Sequence, residues 1–134
     1  MIKVVALFKK KDGLSDSAFR DHYENNHIKL FAEHLRAPGI LRYARRYLTP
    51  IRDAISGESR SSGFDVVMEL WFEDDQSYRD FFEKPMDQSF RTLVAADEEK
   101  LFDRDSMFLH TVEEYETDLT AFRSPTTDSS TARS

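Results

Sequence analysis

From Ile2 to Lys9 the chain is mostly apolar and β-branched, and the run ends at Lys10-Lys11-Asp12-Gly13, a turn signal that closes a first strand. The period then changes. At roughly 100° per residue, Phe19, Tyr23, His27, Leu30 and His34 fall on one side of a helix, which Ser15 or Asp16 caps and Pro38-Gly39 stops near Arg36. Strict alternation returns after Gly39, with Leu41, Tyr43, Arg45 and Tyr47 on one face of a second strand and Ile40, Arg42, Ala44, Arg46 and Leu48 on the other. Pro50 to Gly63 is polar and reads as a long loop. Phe64 to Phe72 is a third strand whose Val66, Met68, Leu70 and Phe72 form one apolar face, opposite Asp65, Val67, Glu69 and Trp71. Glu73-Asp74-Asp75 then favours a helix start, followed by Tyr78, Phe81 and Phe82 at helical spacing until Pro85 interrupts. A further helical piece is expected from Met86 to Phe102, burying Phe90, Leu93, Val94 and Leu101 and exposing Asp97-Glu98-Glu99-Lys100. Met107 to Tyr115 completes the set as a fourth strand.

Strand, helix, strand, strand, helix, strand is the split βαβ order (βαββαβ) of an α+β fold: a four-stranded antiparallel sheet with its helices on one face. The other face is left bare, and Tyr43, Tyr47, Val67 and Trp71 are expected to form much of it. An uncovered apolar surface of this kind calls for a partner, and a homodimer with sheet against sheet is the economical expectation. Residues 1–116 are expected to form one domain, and 117–134 a disordered or partner-contacting tail too poor in apolar residues to order itself.

A chain of 134 residues fits one domain with a conventional core. With no cysteine, it has no disulfide, zinc–thiolate site or cysteine nucleophile, and it fits the reducing cytoplasm. A formal net charge of −6 argues against a nucleic-acid partner. No apolar run approaches the ~20 residues of a spanning helix, and Met1–Phe8 reads as a strand instead of a leader, so no membrane role is expected.

The chemistry gathers on the first helix. His27 faces inward, where desolvation keeps an imidazole neutral and able to take a proton from an activated C–H or hydroxyl; the alternative is a core histidine tying helix to sheet. Tyr23, one turn earlier, is placed to orient that ring or to hydrogen-bond an enolate, unless it is simply a buried tyrosine. Asp65 is the candidate carboxylate to assist them, or else a solvated or ion-paired group. Phe8, Phe19, Leu30, His34, Tyr43 and Trp71 are the candidate walls for a substrate. Metal binding is not expected: His27 and His34 lie two turns apart, and His22 and His27 point about 140° apart on a regular helix. Arg42, Arg45 and Arg46 either guide an acidic ligand or pair with Glu69, Asp65 or Glu113. There is no phosphate-binding glycine loop, so no nucleotide cofactor is expected.

Tyr23-Glu24-Asn25-Asn26-His27 followed by Leu30, then Phe64-Asp65, Glu69-Leu70-Trp71-Phe72 and Asp97-Glu98-Glu99-Lys100-Leu101-Phe102, resemble the EthD-type family of dimeric α+β barrels over about residues 2–115. Ile28 and Lys29 depart from that pattern, which often places a proline shortly after the histidine. The resemblance implies a ferredoxin-like subunit that pairs into a barrel, with a pocket between helices and sheet. Relatives in the superfamily include cofactor-free cyclases, dehydratases, decarboxylases and isomerases, along with monooxygenases and some heme proteins. The expected function is therefore a lyase or isomerase without cofactor, acting by histidine acid/base catalysis on an aromatic or polyketide-like substrate. The alternatives are a non-catalytic ligand-binding accessory protein and, third, an oxygenase.

Overall fold

The computed structural model describes residues 1–84 and 86–123. Four strands, β1 (Ile2–Phe8), β2 (Ile40–Tyr47), β3 (Val66–Phe72) and β4 (Phe108–Thr111), form one antiparallel sheet in the order β2-β3-β1-β4. This is the ferredoxin-like α+β arrangement expected from the order of elements. α1 (Asp16–His22) starts at Ser15, whose Oγ accepts the Ala18 N–H at 3.1 Å, and is followed by a π-helical turn, Tyr23–His27. α2 (Ile28–Leu30) and α3 (Ala32–Leu35) continue the same rod. α4 (Asp75–Phe82) is capped by Asp74, which accepts the Ser77 N–H at 2.9 Å, and α5 (Gln88–Leu101) by Asp87. Between these two helices, the expected break at Pro85 lies outside the described residues.

Val4, Ala6 and Phe8 of β1 pair across from Leu70, Met68 and Val66 of β3, so all six project to one side, where Phe19, Tyr23, Leu101 and Phe102 bury them. The register of β2 adds Tyr43, Arg45 and Tyr47 to that same side. This corrects the placing of Tyr43 and Tyr47 on the uncovered face; Val67 and Trp71 do lie there, with Val5, Leu7 and Ala44. Arg42 and Arg46 on that face pair with Glu69, the ion-pair alternative of the two readings, whereas Arg45 turns inward to Glu24. A bulge at Leu41 explains how Ile40, expected opposite Tyr43, also reaches the core: the extra residue absorbs one step of the alternation and leaves Leu41 exposed.

Two helical expectations fail. Leu93 is 58% exposed, because α5 turns Val94, Glu98 and Leu101 inward instead. Asp97 and Glu98, expected in solvent, are half-buried. The fourth strand is shorter than the expected Met107–Tyr115, and its four residues are exposed at the sheet edge. Of the expected tail, residues 124–134 lie outside the described residues, while Leu119–Phe122 form a short 3₁₀ turn. No helix among the described residues is long and apolar enough to cross a membrane.

Candidate active site

The π turn decides which residues meet. The Ile28 N–H reaches back to the Tyr23 carbonyl, five residues earlier, so this turn holds one more residue than an α-turn and brings residues five apart onto the same side. His22 and His27, which diverge on a regular helix, therefore converge on the carboxylate of Asp97 from α5. His22 Nε2 is 2.7 Å from Oδ1, and His27 Nδ1 is 2.8 Å from Oδ2. The same inserted residue shifts everything beyond it. Phe31 and Leu35, not the expected Leu30 and His34, fall in line with Tyr23 and His27.

These four line a cavity of about 470 Å³ between the helices and the sheet. The remaining wall is nearly all apolar and includes Phe8, Tyr43, Met68, Leu70, Phe102 and Leu109, the size and lining expected of a small-molecule site. His27 is 4% exposed, and the rings of Tyr23, Phe31 and Phe102 meet it edge-on at 5.4–5.5 Å. Its Nε2 has no hydrogen-bond partner among the described residues, and since Nδ1 is turned to Asp97, outside the lining, the opposite edge of the ring is the one that borders the cavity. A carboxylate only accepts, so the proton of a neutral His27 sits on Nδ1 and the Nε2 lone pair is free to act as a base.

Burial alone would push the Asp97 carboxyl up, but hydrogen bonds from His22 and His27 hold it below its ordinary value. Glu98, the next residue, faces the cavity itself and forms an ion pair with Arg104. Its carboxyl is pushed up, first by burial, with Arg104 opposing. Tyr23 is 1% exposed, and burial, then the phenol of Tyr43 beside it, raise its hydroxyl well above the ordinary value. A phenol kept protonated in this way is a hydrogen-bond donor for an oxygen in the cavity. Behind Tyr23, Glu24 accepts from Arg45 at 2.9 and 2.5 Å and from Tyr47 at 2.6 Å, fastening the π turn to β2.

Of the residues picked from the sequence, His27, Tyr23, Phe8 and Tyr43 line the cavity. The others do not. Asp65 accepts the Lys10 backbone N–H at 2.8 Å and borders a separate polar cleft near Arg20 and Arg60. Phe19 is core, edge-on to Tyr23, Tyr47 and Phe102. Leu30 is half-buried outside the cavity. His34 stacks on Phe90 at 4.3 Å and borders another cleft, and Trp71 lies on the far side of the sheet beneath Lys3 and Arg42. The carboxylate beside His27 is thus Asp97 and not Asp65.

The EthD domain model matches residues 11–105, most of the chain, including His27, Asp97 and Glu98. The chain belongs to the EthD family. Among solved structures, this EthD chain is similar to an EthD family protein of Bacillus halodurans, with 23% identity, 86% of this chain and 99% of that one covered, and a TM-score of 0.54. It is similar to the protein At3g17210 of Arabidopsis thaliana at 17% identity, covering 89% and 100% of the two chains with a TM-score of 0.56. A dimeric ferredoxin-like protein of Thermobifida fusca matches at 14% identity, covering 84% and 90%, with a TM-score of 0.51. At these identities the likeness is one of fold. No curated protein shows significant similarity to this EthD chain.

Proposed function

We propose that this EthD protein is a cofactor-independent enzyme in which His27, oriented by Asp97, moves a proton on an aromatic or polyketide-like substrate. Lyase or isomerase chemistry suits the site: dehydration, decarboxylation or cyclisation through an enolate that the Tyr23 phenol steadies. The observation that carries this reading is the 2.8 Å contact of His27 Nδ1 with Asp97 while the imidazole lines a mostly apolar cavity large enough for a bicyclic ring. A core tie would need neither the empty space nor the carboxylate. Residues 1–116 act as the EthD-like domain, with 117–134 as an appended tail, in the cytoplasm.

We also propose a homodimer closed by the uncovered sheet face. Val5, Leu7, Val67 and Trp71 project there together, and the similar Thermobifida fusca and Bacteroides fragilis proteins are described as dimeric.

The apolar lining also favours a second reading, in which the protein holds a hydrophobic metabolite for a partner without converting it. Two measurements on His27→Ala separate the readings: binding of 2-naphthol by fluorescence, and base-promoted ring opening of 5-nitrobenzisoxazole. Enzymatic action predicts that turnover falls by about 10²-fold or more while naphthol affinity and oligomeric state persist. Unchanged turnover leaves only the binding role.

A further inference from the structure

Among the described residues that line the main cavity, Glu98 and Arg104 are the acidic and basic groups besides the imidazole of His27, and they form a pair. Consecutive residues on a helix point about 100° apart, so α5 can aim Asp97 at the His27 ring from outside the cavity and Glu98 into it. Val94, one turn earlier, lines the same wall, and Leu101 continues the buried side. The guanidinium of Arg104 holds Glu98 through Oε1 alone. Glu98 Oε2 has no hydrogen-bond partner among the described residues, nor has His27 Nε2, and both side chains line the cavity. The cavity therefore presents two proton-transfer groups, each held at its other polar atom by a charged neighbour.

We propose that Glu98 is the catalytic acid that complements His27, and that the site removes water from a β-hydroxy ketone on an aromatic or polyketide-like skeleton. This rests on the reading of His27 as the base. Nε2 takes the proton from the carbon between carbonyl and carbinol, and the electron pair passes to the carbonyl oxygen as an enolate near Tyr23. The pair then returns to form the C=C bond as the C–O bond breaks. Glu98 gives its proton to the departing oxygen, so the products are an enone and water. The imidazolium returns its proton to the carboxylate through water, and no oxidant or reductant is consumed. Hydroxide is a poor leaving group, which is why this reaction needs an acid in addition to a base. Burial pushes the Glu98 carboxyl up and suits it to that role; the groups facing it are Arg104 from a second 3₁₀ turn, Arg104–Ser106, just after α5, His27 from the π turn and Asp97 from its own helix.

Two probes with different leaving groups test the assignment. Ring opening of 5-nitrobenzisoxazole expels a stabilised phenolate and needs only the base, whereas 4-hydroxy-4-(4-nitrophenyl)butan-2-one must lose water. In Glu98→Gln, the ratio of ketone rate to benzisoxazole rate is expected to fall by about 10²-fold, with partial recovery in Glu98→Asp. Arg104→Gln removes the cation that favours ionised Glu98, so the acid group titrates higher and the pH optimum of ketone dehydration moves up relative to that of ring opening. A structural clamp would change neither the ratio nor the relative optimum. An unchanged ratio in Glu98→Gln, or a wild-type protein that opens the benzisoxazole but never dehydrates the ketone, overturns the acid. A wild-type protein inert to both probes overturns the base as well.

Discussion

Replacing Asp97 by Asn keeps the shape of the side chain between His22 and His27 but removes the charge that both rings address. Each carboxylate oxygen now takes one ring nitrogen, at 2.7 and 2.8 Å. An amide offers one acceptor and one donor, so only one ring can keep its proton toward residue 97 and the other must present a bare nitrogen. If His27 is the ring that changes, its proton moves to Nε2 and the base facing the cavity is lost. General-base catalysis is worth about 10²–10⁴-fold, so the barrier rises by roughly 3–6 kcal/mol at ~1.4 kcal/mol per decade. If His22 changes instead, His27 keeps its tautomer but loses its charged partner. The rate then falls less. Hydrogen bonds to a charged group contribute about 1.5–3 kcal/mol each, and the loss of one such contact sets the expected drop in stability. Turnover of 5-nitrobenzisoxazole and urea unfolding at pH 7 read the two effects. Wild-type turnover in a folded Asp97→Asn protein would show that the carboxylate does nothing for the base.

Other substitutions probe the frame around the site. Phe102 is 2% exposed and touches Phe8, Phe19, Tyr23 and His27, so Phe102→Ala is expected to cost about 3–5 kcal/mol in denaturant unfolding and to loosen ligand binding. The Glu24 carboxyl is held below its ordinary value of 4.5, mainly by its hydrogen bonds to Arg45. A carboxyl depressed by folding contributes stability above its unfolded pKa, and that contribution is lost as pH falls through the lower folded value. Wild-type stability should therefore decline from about pH 5 downward, and Glu24→Gln should show a flatter acid limb in unfolding experiments. On the uncovered sheet face, Trp71→Asp is expected to give a monomer by analytical ultracentrifugation while leaving the helix-side cavity able to bind 2-naphthol. Gly39 packs so closely on α4 that a Cβ there would sit 1.7 Å from Ser77 Oγ, so Gly39→Ala should lower the melting temperature by shifting that helix.

Strand alternation marked out the strands, and in β3 the wholly apolar set Val66, Met68, Leu70 and Phe72 is the buried one; in β1, with Val5 and Leu7 opposite Val4, Ala6 and Phe8, both faces carry apolar residues and alternation did not choose between them. In β2 both faces held apolar and charged side chains, and a bulge at Leu41 broke the alternation; pattern alone therefore could not place Tyr43 and Tyr47. Along the first helix the site was legible as far as His27 and no further, for a related reason. Helical projection assumes a constant turn, and one π turn moved Phe31 and Leu35 into the positions assigned to Leu30 and His34. It also brought His22 to the same carboxylate. Asp97 and Glu98 sat within an acidic run, Asp97-Glu98-Glu99, that reads as a solvated helix face, and Glu99 is indeed exposed. The available signal was spacing: Val94, Glu98 and Leu101 repeat every three to four residues, so Glu98 lies on the buried stripe of its own helix.

The account rests on a neutral His27 whose Nε2 carries no proton and faces the cavity. Nitrogen-15 NMR of the labelled imidazole reads this directly, in the free protein and with 2-naphthol added. The expected result is an Nδ1–H tautomer whose Nε2 resonance moves as the naphthol saturates. A proton on Nε2, or an Nε2 signal unchanged at saturation, would contradict it.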